Sequence, residues 1–600
     1  MYIERQKLST EDKERISFVA SIFLIVIFVF LAFIFWNAQV LKNQHYKTLA
    51  LQNMVREIEL KAPRGFIKDR NGIIISENKL AFSLKLIREG VEDIDKTVKF
   101  ACDATGMTPD DINKAIDRYK RYPRSYAIPL KKNLSLASVI YIKSRSDLHP
   151  EFEIEVDPTR AYPLQEEASH ILGYISEITV EELKANKSKG YKPGDVIGRS
   201  GIEKQYEDNL RGKKGSQIVM KDNLGTVQQV LQEVKPALGS SVVLTIDMVL
   251  QTYIEQLMAD HLGTVAVVDL SSGGLLAMVS TPNYNPDLFT GAMNADIWRA
   301  LINDPRKPMQ NKFTQGLYSP GSTFKIVMAL GGLQEGVIGP MSAVNCYGAA
   351  KIYDRYFHCW VSSGHGTVNL YSAMRDSCNI YFYQLGKKLD IDIIARYGEM
   401  LGLGGVSGID IPSEKMGRVP SRAWKQKYLK QKWYPGETIS VAIGGGMLSV
   451  TPAQVLTMIS TVALRGKKPR LHLLKEVDSG DGITTAFTPR FTRIPIKREH
   501  FEAVIEGLFR VVNDGGTGRA ARIPGFDICG KTGTQQIISK ENPKYKELVK
   551  QKRFKPHSWF VSFAPRDNPR YAMVVFVENG GDAGGIAAPL AGKIYRKLFE

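Results

Sequence analysis

Cysteine is scarce in this chain. Five occur in 600 residues, at 102, 346, 359, 378 and 529, and no two form a C-x2-C pair. That excludes a compact zinc finger and a disulfide-dense scaffold. Long apolar runs are scarcer still: Ile16 to Trp36 is charge-free and long enough to cross a bilayer, and no second run follows. A multi-span membrane protein is excluded. No nucleic-acid-binding module appears either, so nucleic acid is not the expected partner despite a formal net charge of +18. What is plentiful is apolar residues, 44% of the chain, enough to build two or more packed domains. The excess positive charge suits a neighbourhood of anionic lipid and polymer.

At about 1.5 Å per residue the apolar run spans roughly 30 Å, the thickness of a bilayer core. It ends at bulky Phe35-Trp36 rather than at a small-residue cleavage site, which predicts an anchor and not a removed signal. Arg5, Lys7, Lys13 and Arg15 precede it, against Lys42 and Lys47 after it, so the positive-inside rule leaves the N-terminus in the cytoplasm. The expected organisation is a tail over 1–15, an anchor over 16–36, a first extracytoplasmic domain over 37–243 and a second over 244–600. Loose helical spacing from Val40 to Ile58 predicts a helix continuing to about residue 60. Asn71-Gly72 between apolar runs predicts a hairpin turn. The charged stretch over about 93–150 reads as a helical head subdomain, and two apolar runs over 265–279 read as a buried strand hairpin.

Ser322 and Lys325 stand three apart at the start of an apolar run, where a helix would put hydroxyl and amine on one face. A serine hydroxyl is a weak nucleophile until a base takes its proton, and a desolvated lysine amine can be that base. Alone, S-x-x-K is common by chance. Here Ser377-Cys378-Asn379 follows 55 residues on, and Lys531-Thr532-Gly533-Thr534 another 154 residues on. Ser377 can relay a proton to a leaving amine, and the Asn379 amide can hold a substrate backbone. Lys531 adds positive potential, Thr532 and Thr534 can hold a carboxylate, and Gly533 permits close approach of a strand edge.

S-x-x-K, S-x-N and K-T-G in that order resemble the penicillin-recognising serine acyl transferases. Arg64 to Gly72, Arg160 to Pro163, His170 to Tyr174 and Gly201 to Glu207 resemble the non-catalytic module of class B penicillin-binding proteins. Ile443-Gly444-Gly445-Gly446 resembles a family element usually written I-G-Q-G, with Gly445 in place of the glutamine. The chain is similar over about 64–600 to the elongation-type class B members. That resemblance implies a single N-terminal transmembrane helix, an α+β pedestal with a head subdomain, and an α/β serine transpeptidase domain whose central antiparallel sheet is flanked by helices. It also implies backbone N–H groups of Ser322 and Thr534 as an oxyanion hole. His170 is expected to be structural, and no module is expected beyond Glu600.

Cys346, Cys359, His365 and Cys378 make a complete soft-ligand set for Zn²⁺, though spacings of 13, 6 and 13 leave a Cys346–Cys359 disulfide open. Some elongation-type members hold zinc beside S-x-N through two Asp, one His and one Cys. By that resemblance Cys359, His365 and Cys378 fall at ligand positions, with Cys346 aligned least directly and His358 a competing ligand. Such a zinc would be structural, tying the loop around Trp360 to the turn of Ser377 and Asn379. No organic cofactor is expected.

The function implied is a D,D-transpeptidase that cross-links peptidoglycan stem peptides during elongation and is acylated by β-lactams. It would sit in the bacterial inner membrane with its catalytic domain periplasmic. A SEDS-type, RodA-like glycan polymerase and shape-determining scaffold proteins are the implied partners. The alternatives are a D,D-carboxypeptidase or other hydrolase, a division-type transpeptidase, and a non-enzymatic sensor. No E-x-x-L-N string lies between residues 380 and 530, against a class A β-lactamase, and a 15-residue tail is too short for a signalling module.

Overall fold

The computed structural model describes residues 9–124, 126–221, 227–291, 293–538 and 542–600, so Arg5 and Lys7 lie outside the described residues. The first helix is Thr10–Trp36, opened by Ser9, whose hydroxyl accepts from the Asp12 N–H. None of it is buried, and the mean hydropathy of its apolar window is 3.2. A bare apolar cylinder of this length is what a bilayer covers. Among the described residues no other helix is long and apolar enough to cross a membrane.

The helix expected to reach residue 60 stops sooner. Asn43–Met54 is helical, but Val55–Leu60 is a strand paired antiparallel with Gly215–Lys221. The spacing turns from helical to alternating at Glu57-Ile58-Glu59-Leu60, and the strand pairing wins there. The predicted hairpin forms between Ile67–Lys68 and Ile74–Leu86. Asp69 closes its turn by accepting from the Asn71 and Ile73 N–H groups, and Gly72 takes φ +90°. Ile74–Leu86 then pairs with Phe152–Ala161. Between those two strands, helices Ile94–Thr105, Pro109–Arg118 and Leu136–Lys143 close a small core of their own around Phe100, Ile112 and Tyr119.

The pedestal sheet does not end where the second domain was expected to begin. Ser241–Leu244 pairs parallel with Ile67–Lys68 and antiparallel with Leu474–Asp478, which carries Thr484–Ala486 on its other edge. Strands from late in the chain therefore complete the first sheet. Residues so far apart in sequence leave no local trace of that pairing.

The second sheet has five antiparallel strands in the order Leu275–Thr281, Leu262–Asp269, Tyr571–Glu578, His557–Ala564, Cys529–Gln535. Both faces are covered, and the period-two alternation divides each strand between two cores. Ala572, Val574 and Phe576 face one core, while Met573, Val575 and Val577 face the other. The first core holds the helix after Ser322; the second holds Met248–Met258 and Ala587–Phe599. The K-T-G strand, Cys529–Gln535, is left at the sheet edge.

Candidate active site and an adjoining thiol cluster

Ser322 lies in a 3-10 turn, Gly321–Phe324, that leads into the helix Lys325–Gln334, and its side chain is partly exposed. The turn is clamped from two sides by backbone. Gly321 takes φ +53° and donates its N–H to the Gly444 carbonyl at 3.1 Å, and the Ser319 hydroxyl donates to the same carbonyl. A Cβ on Gly444 would stand 1.9 Å from the Gly321 oxygen. A Cβ on Gly533 would stand 2.9 Å from the Pro320 oxygen. The bareness of Gly533, expected to let the strand edge approach a substrate closely, also seats the K-T-G strand against the serine turn.

Lys325 is fully buried. Its amine donates to the Ser377 carbonyl at 2.8 Å, the Ser377 hydroxyl at 3.2 Å and the Asn379 side-chain oxygen at 2.8 Å. Those three acceptors use all three ammonium donors. No direct hydrogen bond from Lys325 to the Ser322 hydroxyl is made among the described residues, so the S-x-x-K spacing alone does not produce the pairing expected of it. The S-x-N turn competes for the amine and holds it. Burial pushes the Lys325 amine down to about 7, while Cys378 and Cys359 work the other way. A lysine in that range can be the neutral amine near neutral pH, with a lone pair to take a proton.

Ser377 sits at φ +54°, a left-handed conformation that a serine adopts only when its surroundings impose it. That twist points both its carbonyl and its hydroxyl at Lys325. Asn379 opens the helix Asn379–Lys388. Lys531 is also fully buried, with the Thr532 carbonyl at 3.3 Å as its hydrogen-bond partner. Burial, then the nearby Lys325, push its amine well below the ordinary lysine range, and Asp376 opposes them. The standing positive charge expected of Lys531 is thus resisted by its site. Thr532 shares a 2.6 Å hydroxyl contact with Thr517, and Thr534 is exposed at the edge strand. A Cβ on Gly321 would lie 3.0 Å from the Thr534 oxygen, so Ser322 and Thr534 belong to adjoining backbone segments.

One further pair escaped the sequence. The Tyr318 hydroxyl donates to Glu578 at 2.5 Å and its ring lies 4.1 Å from Phe576, fixing the entry to the serine turn against the sheet. Partners 260 residues apart carry no local signal. The Trp559 indole N–H, bonded to the Ser319 carbonyl at 3.1 Å, fixes the same turn from the neighbouring strand.

Beside the S-x-N turn, one ligand atom from each of Cys346, Cys359, His365 and Cys378 lies within 4.8 Å of the others. His365 Nδ1 is 3.6 Å from Cys346 Sγ and 3.5 Å from Cys359 Sγ. Tetrahedral zinc with thiolates at about 2.3 Å would separate its ligand atoms by about 3.8 Å, so the donor set fits that ion in type and spacing. His365 Nε2 is buried without a partner among the described residues. The neighbouring Cys378 thiol, and then the Asn379 and Val361 N–H groups, push the Cys359 thiol below its ordinary value against burial. All five cysteines are free, so the Cys346–Cys359 disulfide is not formed, and His358 is exposed and outside the cluster. The cluster touches the active site through Cys378 itself and through Trp360, whose indole N–H donates to the Asp376 carbonyl at 3.0 Å.

With that geometry in place, comparison with known proteins is direct. The penicillin binding protein transpeptidase domain matches residues 263–596, and the penicillin-binding protein dimerisation domain matches residues 59–244. The peptidoglycan D,D-transpeptidase MrdA of Salmonella typhimurium strain LT2 is 33% identical over 591 residues, covering 96% of this chain and 94% of that protein. A solved complex of PBP2 and MreC from Helicobacter pylori matches with TM-score 0.76 and 27% identity, over 91% of this chain and all of that PBP2 chain. A chain in a peptidoglycan synthase complex, described as coordinating polymerization and crosslinking, matches with TM-score 0.70 and 29% identity over 97% of both chains.

Proposed function

The chain belongs to the penicillin-binding protein transpeptidase family, and from that premise we propose that Ser322 is the nucleophile of a membrane-anchored D,D-transpeptidase that cross-links peptidoglycan stem peptides during cell elongation. The observation that carries this reading is the Lys325 amine: buried, without a carboxylate partner among the described residues, and held by Ser377 and Asn379 one turn from Ser322. The neutral amine takes the Ser322 proton as the hydroxyl attacks the penultimate D-Ala carbonyl. The Ser322 and Thr534 N–H groups receive the developing oxyanion. Ser377 passes the proton on to the departing D-Ala, and an amine of a second stem peptide then resolves the acyl-enzyme. The donor peptide lies extended along the K-T-G strand, whose edge position leaves backbone groups open for pairing. Thr532 and Thr534 hold its carboxylate. A β-lactam acylates the same serine.

Cys346, Cys359, His365 and Cys378 would hold zinc. Four protein ligands fill a tetrahedral ion, so its contribution would be to folding rather than to the reaction. In this reading Cys378, between Ser377 and Asn379, fixes the turn that holds Lys325. In the same reading the N-terminus lies in the cytoplasm and the two sheets lie in the periplasm, as the charge bias around the apolar helix supports. By likeness to the solved complexes, a scaffold protein comparable to MreC and a glycan polymerase are the partners.

The test is product analysis. The full chain, supplied with uncross-linked glycan strands, should yield dimeric stem peptides and release one D-Ala for each cross-link. Release of D-Ala without dimers would mark a carboxypeptidase instead.

A further inference from the structure

Two surface stretches hold much of the chain's excess charge. Arg422 to Tyr434 has five basic residues and no acidic one, and Lys544 to Lys555 has six basic and one acidic. Between them they supply a net ten of the eighteen positive charges of the whole chain. Some exposed cations elsewhere are answered by carboxylates, as Lys189 is by Asp208 and Lys192 by Glu59. Here Arg422 is answered by Asp390 and Asp392, and the buried Lys425 by Glu437. Lys427, Lys430 and Lys432 on the first stretch, and Lys546, Lys550 and Lys552 on the second, are exposed and pair with no acidic group among the described residues.

Each stretch is connected along the chain to an element that packs on the serine turn. The second lies in the segment between the K-T-G strand and the strand that begins at His557, with the Arg553 and Lys555 carbonyls held by the Asn579 amide. The first runs directly into the helix Pro435–Val441, which delivers the Gly444 carbonyl to Gly321 and Ser319. At its other end, Arg418 bonds the Met447 carbonyl and lies 4.9 Å over the Trp424 ring. Trp424 and Tyr428 stack at 5.9 Å and 29°, and Tyr434 is exposed. Like charges gathered without counter-ions repel one another, and a polyanion that spans them relieves that repulsion.

We infer that these two stretches are a docking surface for a polyanionic strand, namely glycan whose uncross-linked stem peptides carry free carboxylates, which they draw to the serine turn. The lysines supply long-range attraction, and the aromatic faces of the first stretch give sugar or peptide planes a surface to lie on. The inference rests on the transpeptidase reading of Ser322, and it adds a charge requirement that a small β-lactam does not test.

The experiment uses the full chain in detergent micelles and soluble uncross-linked strands bearing a fluorophore. Binding is measured at low and high salt, with native strands and with strands whose stem carboxylates have been amidated. K427E/K430E/K432E and K546E/K550E/K552E are compared with the corresponding Gln variants, each with its melting temperature as a check on folding. Each Glu triple should weaken native-strand binding by about tenfold or more at low salt, the Gln triples by less, with the differences closing as salt screens them. Amidated strands should bind weakly to every form. Equal affinity for native and amidated strands, or no loss in the folded Glu triples, would overturn the inference. So would loss in the Glu triples of binding to anionic phospholipid vesicles alone, because the surface would then face lipid. Separately, failure of the wild-type chain to be acylated by a penicillin at Ser322 would sink the reading on which the inference stands, whatever the strands do.

Discussion

Two clusters of buried cations sit in this molecule, and they are built on opposite principles. In the pedestal, Arg64 reaches Glu203 at 2.8 Å and Glu207 at 2.8 Å, and Arg160 reaches Glu203 at 2.6 Å. Burial opposes the Glu203 charge, yet Arg160 and Arg64 outweigh it and hold that carboxyl below its ordinary value. In the catalytic half, Lys325 and Lys531 are as deeply buried, but neither has a carboxylate within ion-pair distance among the described residues, and both amines are pushed down. Guanidinium cannot give up its proton, so it is used where charge must persist and be paired. Lysine can, so it is used where charge must be surrendered. The pedestal cluster holds structure; the catalytic cluster holds a proton acceptor.

The sharpest way to break this contrast is at the nucleophile. Ser322→Ala should abolish β-lactam acylation, read as the added mass on the intact protein, while leaving melting nearly unchanged because the side chain is partly exposed. An Ala variant that still gains the drug's mass would move the chemistry elsewhere. Next comes the base. Lys325→Ala should slow acylation by about 10²–10⁴, and Lys325→Arg should not restore it, since a guanidinium stays charged. In the wild type the reactive form is the neutral amine. The acylation rate should therefore rise with pH through about 7 and level off above it. A rate flat from pH 5 to 9 would contradict the assignment.

The pedestal predicts the reverse pattern. Glu203→Ala strands Arg64 and Arg160 as buried charges without their main partner, which should lower stability by about 3–5 kcal/mol in urea titration. A loss below about 1 kcal/mol would mean that water or Glu207 replaces Glu203 readily. Smaller, and dependent on conditions, is the effect of the thiol cluster. Purified chain should carry about one zinc, and a strong chelator should lower its melting temperature and slow acylation together. Cys378→Ser should shift both in the same direction. Metal-free chain with unchanged melting would remove zinc from the account and leave the Lys325 chemistry standing.

How legible these clusters were depends on how their parts are spaced. Ser322 and Lys325 are neighbours in sequence, and S-x-N and K-T-G are compact, so the order of motifs pointed to one site. Arg64, Arg160 and Glu203 were each visible inside a recognised stretch, but their joining is a long-range event with no sequence period. Tyr318–Glu578 and the strand Leu474–Asp478 in the pedestal sheet were hidden for the same reason. Gly533 shows a subtler limit. Its residue type announced a close approach, but only the fold shows that the approaching atoms are the Pro320 carbonyl and Thr323. The lysine base was predicted from chemistry; that its partners are Ser377 and Asn379, and not Ser322, required the twisted Ser377 backbone.

Glu255 completes the comparison as the mirror case, a sheltered carboxylate without a cation among the described residues. It accepts from the Ala168 N–H at 2.9 Å, from Gln251 at 2.8 Å and from Asn283 at 3.2 Å, and so ties the pedestal's Ala168 to the catalytic half. Burial pushes its carboxyl up to about 7, these hydrogen bonds pull the other way, and Glu167 adds to the rise. Because the folded-state value is raised, the folded chain holds this proton more tightly than the unfolded chain. Its stabilising contribution is fully present below the ordinary carboxylate value of 4.5 and is lost as pH rises through about 7. Glu255→Gln fixes the neutral form, and its amide oxygen can still accept from Ala168. Wild type and Glu255→Gln should therefore melt alike near pH 5, with the wild type falling progressively below the variant between pH 5 and 8. The effect comes last because it appears only as pH rises and rests on one group. Parallel melting curves across that range would show that water reaches Glu255 and that its charge is tolerated at the junction.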